Sequence, residues 1–166
     1  RKPPWAHADP NAIFFHRELL TRSLDGRRID LITISDWRGI DEEGGVCESH
    51  SHLSRRLGTA SVTPLHSSVF PEVGTGRRPH APKFGLHKPV VFLSARVHPG
   101  ETPASFCMNG VLELLTNPSD ARAIALRRNF VFKLVPILNP DGVARGHYRM
   151  DNFGRNLNRY YQDPSP

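Results

Sequence analysis

Two cysteines in 166 residues exclude a disulfide scaffold, since at most one bridge could form. Cys47 lies among polar residues and Cys107 in an apolar helical pattern, so two free thiols in a reducing compartment are expected. No apolar run approaches the ~20 residues that cross a bilayer as a helix. The opening RKPPWAHADP lacks an initiator Met and the charged-then-apolar pattern of a signal peptide. With the abrupt ending QDPSP, this reads as a piece of a longer chain. Acidic residues are the minority, 16 against 22 Lys and Arg, for a net charge of +6. The positive charges are dispersed rather than clustered with aromatics, and RNP-like, zinc-finger and helix-turn-helix signatures are absent. Neither nucleic acid nor a membrane is therefore expected as a partner; the charge points to an acidic one.

What is present suits one soluble domain with a real core, at 38% hydrophobic and 23% charged residues. Ala12 to Arg22 spaces its apolar residues like an amphipathic helix, with His16 as an ordinary half-buried histidine. Ser23-Leu24-Asp25-Gly26 turns the chain, and Arg28 to Ser35 alternates like a strand. From about 36 to 88 the sequence is rich in Gly, Pro, Ser, His and Arg, and an exposed, partly disordered insertion is expected there. Cys47, His50 and His52 within it could meet a metal, but no second pair stands at structural-zinc spacing.

Beyond the insertion the pattern sharpens. Pro89 to Ala95 reads as a buried strand, and Thr102 to Leu115 as a helix with Pro in its first turn, where a missing N–H costs nothing. Ala121 to Arg128 is a second short helix and Phe130 to Leu138 another buried strand. Asn139-Pro140-Asp141-Gly142 is a turn signal, followed by a Gly- and Asn-rich loop that leads to Asn158 and Arg159. Strand, helix, strand in this order indicates an α/β fold with a parallel crossover.

The chemistry concentrates at two places. His98 and Glu101, three apart, lie where a strand ends and a helix begins, a common position for ligand sites in open α/β sheets. They could face one cation, or Glu101 could simply favour the positive end of the helix. Farther on, Arg149, Asn158 and Arg159 share one loop. An Arg fork matches a carboxylate bidentately and Asn adds a hydrogen bond, so the group suits an anionic end group, although a solvated basic loop would look the same. Arg155 beside them could read an acidic side chain or be a surface arginine.

Taken together, PVVFLSARVHPGETPASF, FVFKLVPILNPDGVARGHYR and GRNLNRYY resemble the M14 zinc metallocarboxypeptidases, within them the cytosolic carboxypeptidase group. HRELLTRSLDGRRIDLITIS fits the start of that catalytic domain. The resemblance implies a mixed sheet with flanking helices, residues 11–166 being part of the catalytic domain and 1–10 a flanking linker. It makes His98 and Glu101 the first two ligands of one zinc ion. Arg149 becomes the arginine that stabilises the oxyanion, and Asn158 and Arg159 the grip on the substrate's terminal carboxylate. The implied activity is removal of C-terminal or branch-point glutamates from polyglutamylated or acidic-tailed proteins, tubulin among them, in the cytoplasm, with the nucleus or microtubules as further locations. The group usually carries DLNR where Asn156 gives NLNR here, which agrees with the deglutamylase branch. The third zinc ligand and the general base fall downstream of Pro166, and His147 is not a substitute in this pattern, so the 166-residue piece alone is expected to be inactive. Two competing readings are an aspartoacylase-like zinc amidohydrolase and a non-catalytic tubulin-binding module.

Overall fold

A computed structural model describes residues 12–40, 84 and 88–162. The first strand, β1 (Ile13–Arg22), runs into a turn closed by Gly26 at φ 78° and returns as β2 (Arg28–Asp36). The two pair antiparallel from Ile13↔Asp36 to Arg22↔Arg28, with a bulge between Leu19 and Thr21. The helix expected over 12–22 is thus a strand. The reason is non-local: β2 is dense in β-branched residues, and pairing along its whole length outweighs a helical spacing that has no helical partner. Phe14, His16 and Glu18 then share one face; Phe14 and Glu18 are buried and His16 half-buried, as an ordinary side chain near Glu18.

β3 (Val90–Ser94) is followed by α1 (Pro103–Leu115), α2 (Ala121–Asn129) and β4 (Val131–Val135). The sheet order is β1-β2-β4-β3, with β3 and β4 parallel and β2 and β4 antiparallel. This is the mixed sheet with flanking helices that the sequence implied. Ile32, Ile34, Phe132 and Leu134 form one core with Met108 and Leu115 of α1. Each such side chain contributes about 1.5–3 kcal/mol on full burial. α2 is capped by Asp120, and the buried guanidinium of Arg127 donates to the carbonyls of Leu115 and Asn117, satisfying the end of α1.

Two expectations need correction. β3 is not buried: it is the edge strand among the described residues, and Val90 and Phe92 are 61% and 60% exposed. The expected insertion also begins too early, because Asp36 closes β2 at 2% exposure. Asp36 accepts from Lys88 Nζ at 2.6 Å, while Ile40 bridges Phe84, so the flanks of the long excursion meet. Residues 1–10 and the Cys47, His50 and His52 group lie outside the described residues. Cys107 is a free, exposed thiol.

Candidate active site

The parallel pairing of β3 with β4 continues past both strands. Ala95 N donates to Val135 O (3.0 Å), Leu138 N to Ala95 O (2.9 Å) and Asn139 N to Arg96 O (3.1 Å). The carboxyl ends of the two strands therefore open side by side, and each feeds one loop of the site. At the exit of β3, Arg96 takes φ 58°, the sole positive φ of a non-glycine among the described residues. Its guanidinium holds the conformation by donating to Pro99 O and Ser105 Oγ. That reversal delivers His98 to a buried position, 5% exposed, and leaves Glu101 more than half exposed at the mouth of α1.

His98 is fixed at both nitrogens. Nε2 lies 2.9 Å from Asn156 Oδ1, and Nδ1 lies 2.9 Å from Glu101 Oε1. An amide oxygen only accepts, so Nε2 donates to Asn156, while Nδ1 faces a carboxylate oxygen. Two such donor atoms face one another comfortably only with a proton or a cation between them. Arg149 approaches the same oxygen, with Nη1 3.6 Å from Glu101 Oε1.

The second loop follows β4. Asn139 caps the short helix α3 (Pro140–Arg145), where the sequence had suggested only a turn, by accepting from Gly142 N at 3.0 Å. Its amide nitrogen also reaches Val97 O and Met150 O, each at 3.4 Å, spanning both loops. Gly146 ends α3 in the left-handed region, and Gly100 N donates to Tyr148 O at 2.7 Å. Asn156 Oδ1 accepts from the amide of Asn158 (3.3 Å) as well as from His98, and Leu157–Arg159 form one 3-10 turn. Asn158 thus joins the His98–Glu101–Arg149 group through Asn156, whereas exposed Arg159 touches none of the three. Arg155 is not solvated in isolation; its guanidinium lies 5.3 Å from the Phe153 ring and 5.8 Å from that of Tyr160. His147 turns its ring to Met150 O and stays apart from His98 and Glu101.

Sequence reasoning noted Asn156 only as a departure from a motif and Asn139 only as part of a turn, and gave Arg96 no role. Gly100 is required on steric grounds. A Cβ there would sit 2.6 Å from Tyr148 O, so the requirement is close approach rather than backbone freedom.

The model of the zinc carboxypeptidase family, Peptidase M14, matches residues 8–164, and the chain belongs to that family. It is 48% identical over 161 residues to a cytosolic carboxypeptidase-like protein 5 from Danio rerio, covering 97% of this chain and 16% of that protein. The human protein of the same name is 46% identical over 159 residues, covering 95% of this chain and 16% of that protein. The chain therefore spans about one sixth of the length of these relatives. Among solved structures, a carboxypeptidase A-like protein from Shewanella denitrificans aligns with TM-score 0.58 at 27% identity, covering 91% of this chain and 28% of that one. A metallo-carboxypeptidase from Pseudomonas aeruginosa, solved with (2-guanidinoethylmercapto)succinic acid, aligns with TM-score 0.53 at 25% identity, covering 90% and 28%.

Zinc is the metal this family implies. The donor set fits it in part: an imidazole nitrogen and a carboxylate oxygen converge, and an amide orients the imidazole from behind. Among the described residues no group of three or more His, Cys, Asp or Glu side chains could hold an ion. Two side chains of ligand type converge here, and an ion held between them would need a further ligand from elsewhere.

Proposed function

We propose that this chain is part of a metallocarboxypeptidase that removes glutamates from the ends or branch points of acidic protein tails, such as polyglutamylated tubulin, in the cytoplasm. The observation that carries the reading is the convergence of His98 Nδ1, Glu101 Oε1 and Arg149 on one point, tied through Asn156 to the Asn158–Arg159 turn. The names of the relatives place them among cytosolic carboxypeptidases, and the chain's net charge of +6 suits an anionic substrate.

In this reading His98 and Glu101 hold zinc, which when bound supplies Lewis-acid activation of water and stabilisation of developing negative charge. Arg149 presents N–H donors to the scissile carbonyl oxygen as charge builds on it, an effect of about 2.7–4 kcal/mol for one well-placed donor. Asn158 and Arg159 take the terminal carboxylate in charge-assisted hydrogen bonds, so that only a residue with a free carboxylate is cut. Asn156 keeps the proton of His98 on Nε2. The third ligand and the general base come from outside this chain.

The test uses the full-length protein and a peptide ending in several glutamates, with free glutamate and bound zinc both measured. Wild type should release glutamate. Glu101→Gln should lose activity and zinc together, and Arg159→Ala should keep zinc and raise KM. Zinc-loaded wild type that deacylates N-acetylaspartate but spares the peptide would sink the reading, as would an Arg159→Ala variant with unchanged KM. The 166-residue chain alone should release no glutamate.

A further inference from the structure

Between Met150 and Asn156 the second loop is closed on itself. Asp151 Oδ1 accepts from the amides of Phe153 (2.9 Å) and Arg155 (2.7 Å), and Asp151 N donates to Arg155 O (3.0 Å), so residues 151–155 form one tight turn. Among the described residues, one side chain ties this turn by hydrogen bonds to the body of the protein. Asn152 Nδ2 donates to Asp141 Oδ2 at 2.9 Å and to Asp25 Oδ1 at 3.2 Å. The Asn152 Oδ1 atom is buried with no partner, so the amide is held by its donor end alone.

The two acceptors are themselves braced. Asp141, at the start of α3, is 4% exposed. It accepts from Ser23 Oγ (2.5 Å), the amide of Asp25 (3.1 Å) and Arg27 Nη1 (3.0 Å), all on the β1–β2 turn some 116 residues away in sequence. Arg27 also bonds Asp25, and Arg145 from α3 reaches Asp25 through Nε (2.9 Å) and Nη2 (2.7 Å). Each carboxylate thus has a guanidinium partner, which lets the two stand together. With Asp141 so little exposed, water competes poorly for its bonds.

We propose that Asn152 and Asp141, steadied by Asp25, are positioning residues: they hold the 151–155 turn, and with it the adjoining Leu157–Arg159 turn that carries Asn158 and Arg159. This rests on the carboxylate-grip reading given above. Arg149 has moorings of its own, through Tyr148 O to Gly100 and Met150 O to Asn139. Loosening the Asn152 tie therefore affects capture of the terminal carboxylate more than the chemical step.

The experiment is steady-state kinetics of the full-length enzyme on a glutamate-ended peptide, with zinc content and melting temperature measured on every variant. Asn152→Ala, which leaves the bonds between Asp141 and the β1–β2 turn in place, should raise KM on the order of tenfold, with kcat within about threefold of wild type and zinc retained. Asn152→Asp, which sets a third carboxylate beside the other two, should raise KM at least as much. Combined with Arg159→Ala, Asn152→Ala should add less than about twofold, because both act through one contact. Wild-type KM in Asn152→Ala, or KM effects that multiply in the double variant, would overturn the proposal. Asp141→Asn is the second probe; if it fails to fold, the Asn152 variants still decide. If Arg159→Ala itself leaves KM unchanged, the grip reading has failed and the positioning role goes with it, an outcome distinct from unchanged KM in Asn152→Ala alone.

Discussion

Replacing Gly100 with Ala should disable the enzyme without removing any chemical group from it. The new methyl carbon would lie 2.6 Å from Tyr148 O, 2.8 Å from Tyr148 Cδ2 and 3.1 Å from Tyr148 Cα. Two of these are backbone atoms, so rotating the exposed Tyr148 ring gives no relief. To regain ordinary contact at 3.4 Å, the two loops must separate by about 0.8 Å, beyond the ~0.5 Å tolerance of a catalytic constellation. Tyr148 immediately precedes Arg149 and Gly100 immediately precedes Glu101, so the displacement falls directly on the 3.6 Å approach of Arg149 to Glu101. The 2.7 Å bond from Gly100 N to Tyr148 O lengthens with it. A misplacement near 1 Å costs on the order of 10²-fold in rate, and forced overpacking costs about 1–3 kcal/mol in stability. The assay is kcat/KM of the full-length Gly100→Ala enzyme on a glutamate-ended peptide, together with its zinc content. A variant that keeps zinc but loses about 10²-fold, mainly in kcat, fits the geometry. Activity within threefold of wild type would refute the claim that the two loops are rigidly stitched at this contact.

Two other perturbations follow from single contacts. Asn156→Ala removes the acceptor on His98 Nε2 and should weaken zinc binding about 10–100-fold, read by chelator competition on the full-length protein; affinity within twofold of wild type would contradict the tautomer assignment. Asp120 is drawn down to about 2 by the Arg122 side chain and by the backbone amides it caps at the start of α2. Because its folded pKa is depressed, its contribution is present above the ordinary carboxylate value near 3.9 and is lost as pH falls toward 2. Asp120→Asn, itself a good cap, should flatten that part of the melting-temperature profile; an unchanged profile would contradict the assignment.

The sequence disclosed elements whose residues decide their conformation locally. α1 was legible because Pro103 opens an apolar helical run, and β2 because it alternates β-branched residues. β1 was not, since a ten-residue run with both spacings is settled by its partner, and β2 lies beyond a turn. Val90 and Phe92 misled in another way: an apolar strand sequence states that a face is to be covered, without stating by what. The candidate site divides similarly. His98, Glu101, Arg149, Asn158 and Arg159 stood out because their chemistry is readable one residue at a time. Asn139 and Asn152 bond to groups on other segments, and Arg96 to Pro99 O and Ser105 Oγ, and no apolar spacing announces such ties.

Asn156 shows why the difference matters for the reading proposed above. As an acceptor on Nε2 it sets the tautomer of His98 as a carboxylate would, yet it adds no negative charge beside the ring. In that reading the carboxylate of Glu101 stands against two guanidinium groups, Arg149 beside it and Arg159 on the exposed turn. An aspartate at 156 would cancel that excess at the point where a substrate's terminal carboxylate must arrive. At an effective dielectric constant of ~20, one such charge several ångströms away would weigh against an anionic end group by roughly a few kcal/mol. Zinc, by contrast, would gain from the extra charge. Under the proposed reading, the amide at 156 thus favours arrival of an anionic end group over added charge at the metal.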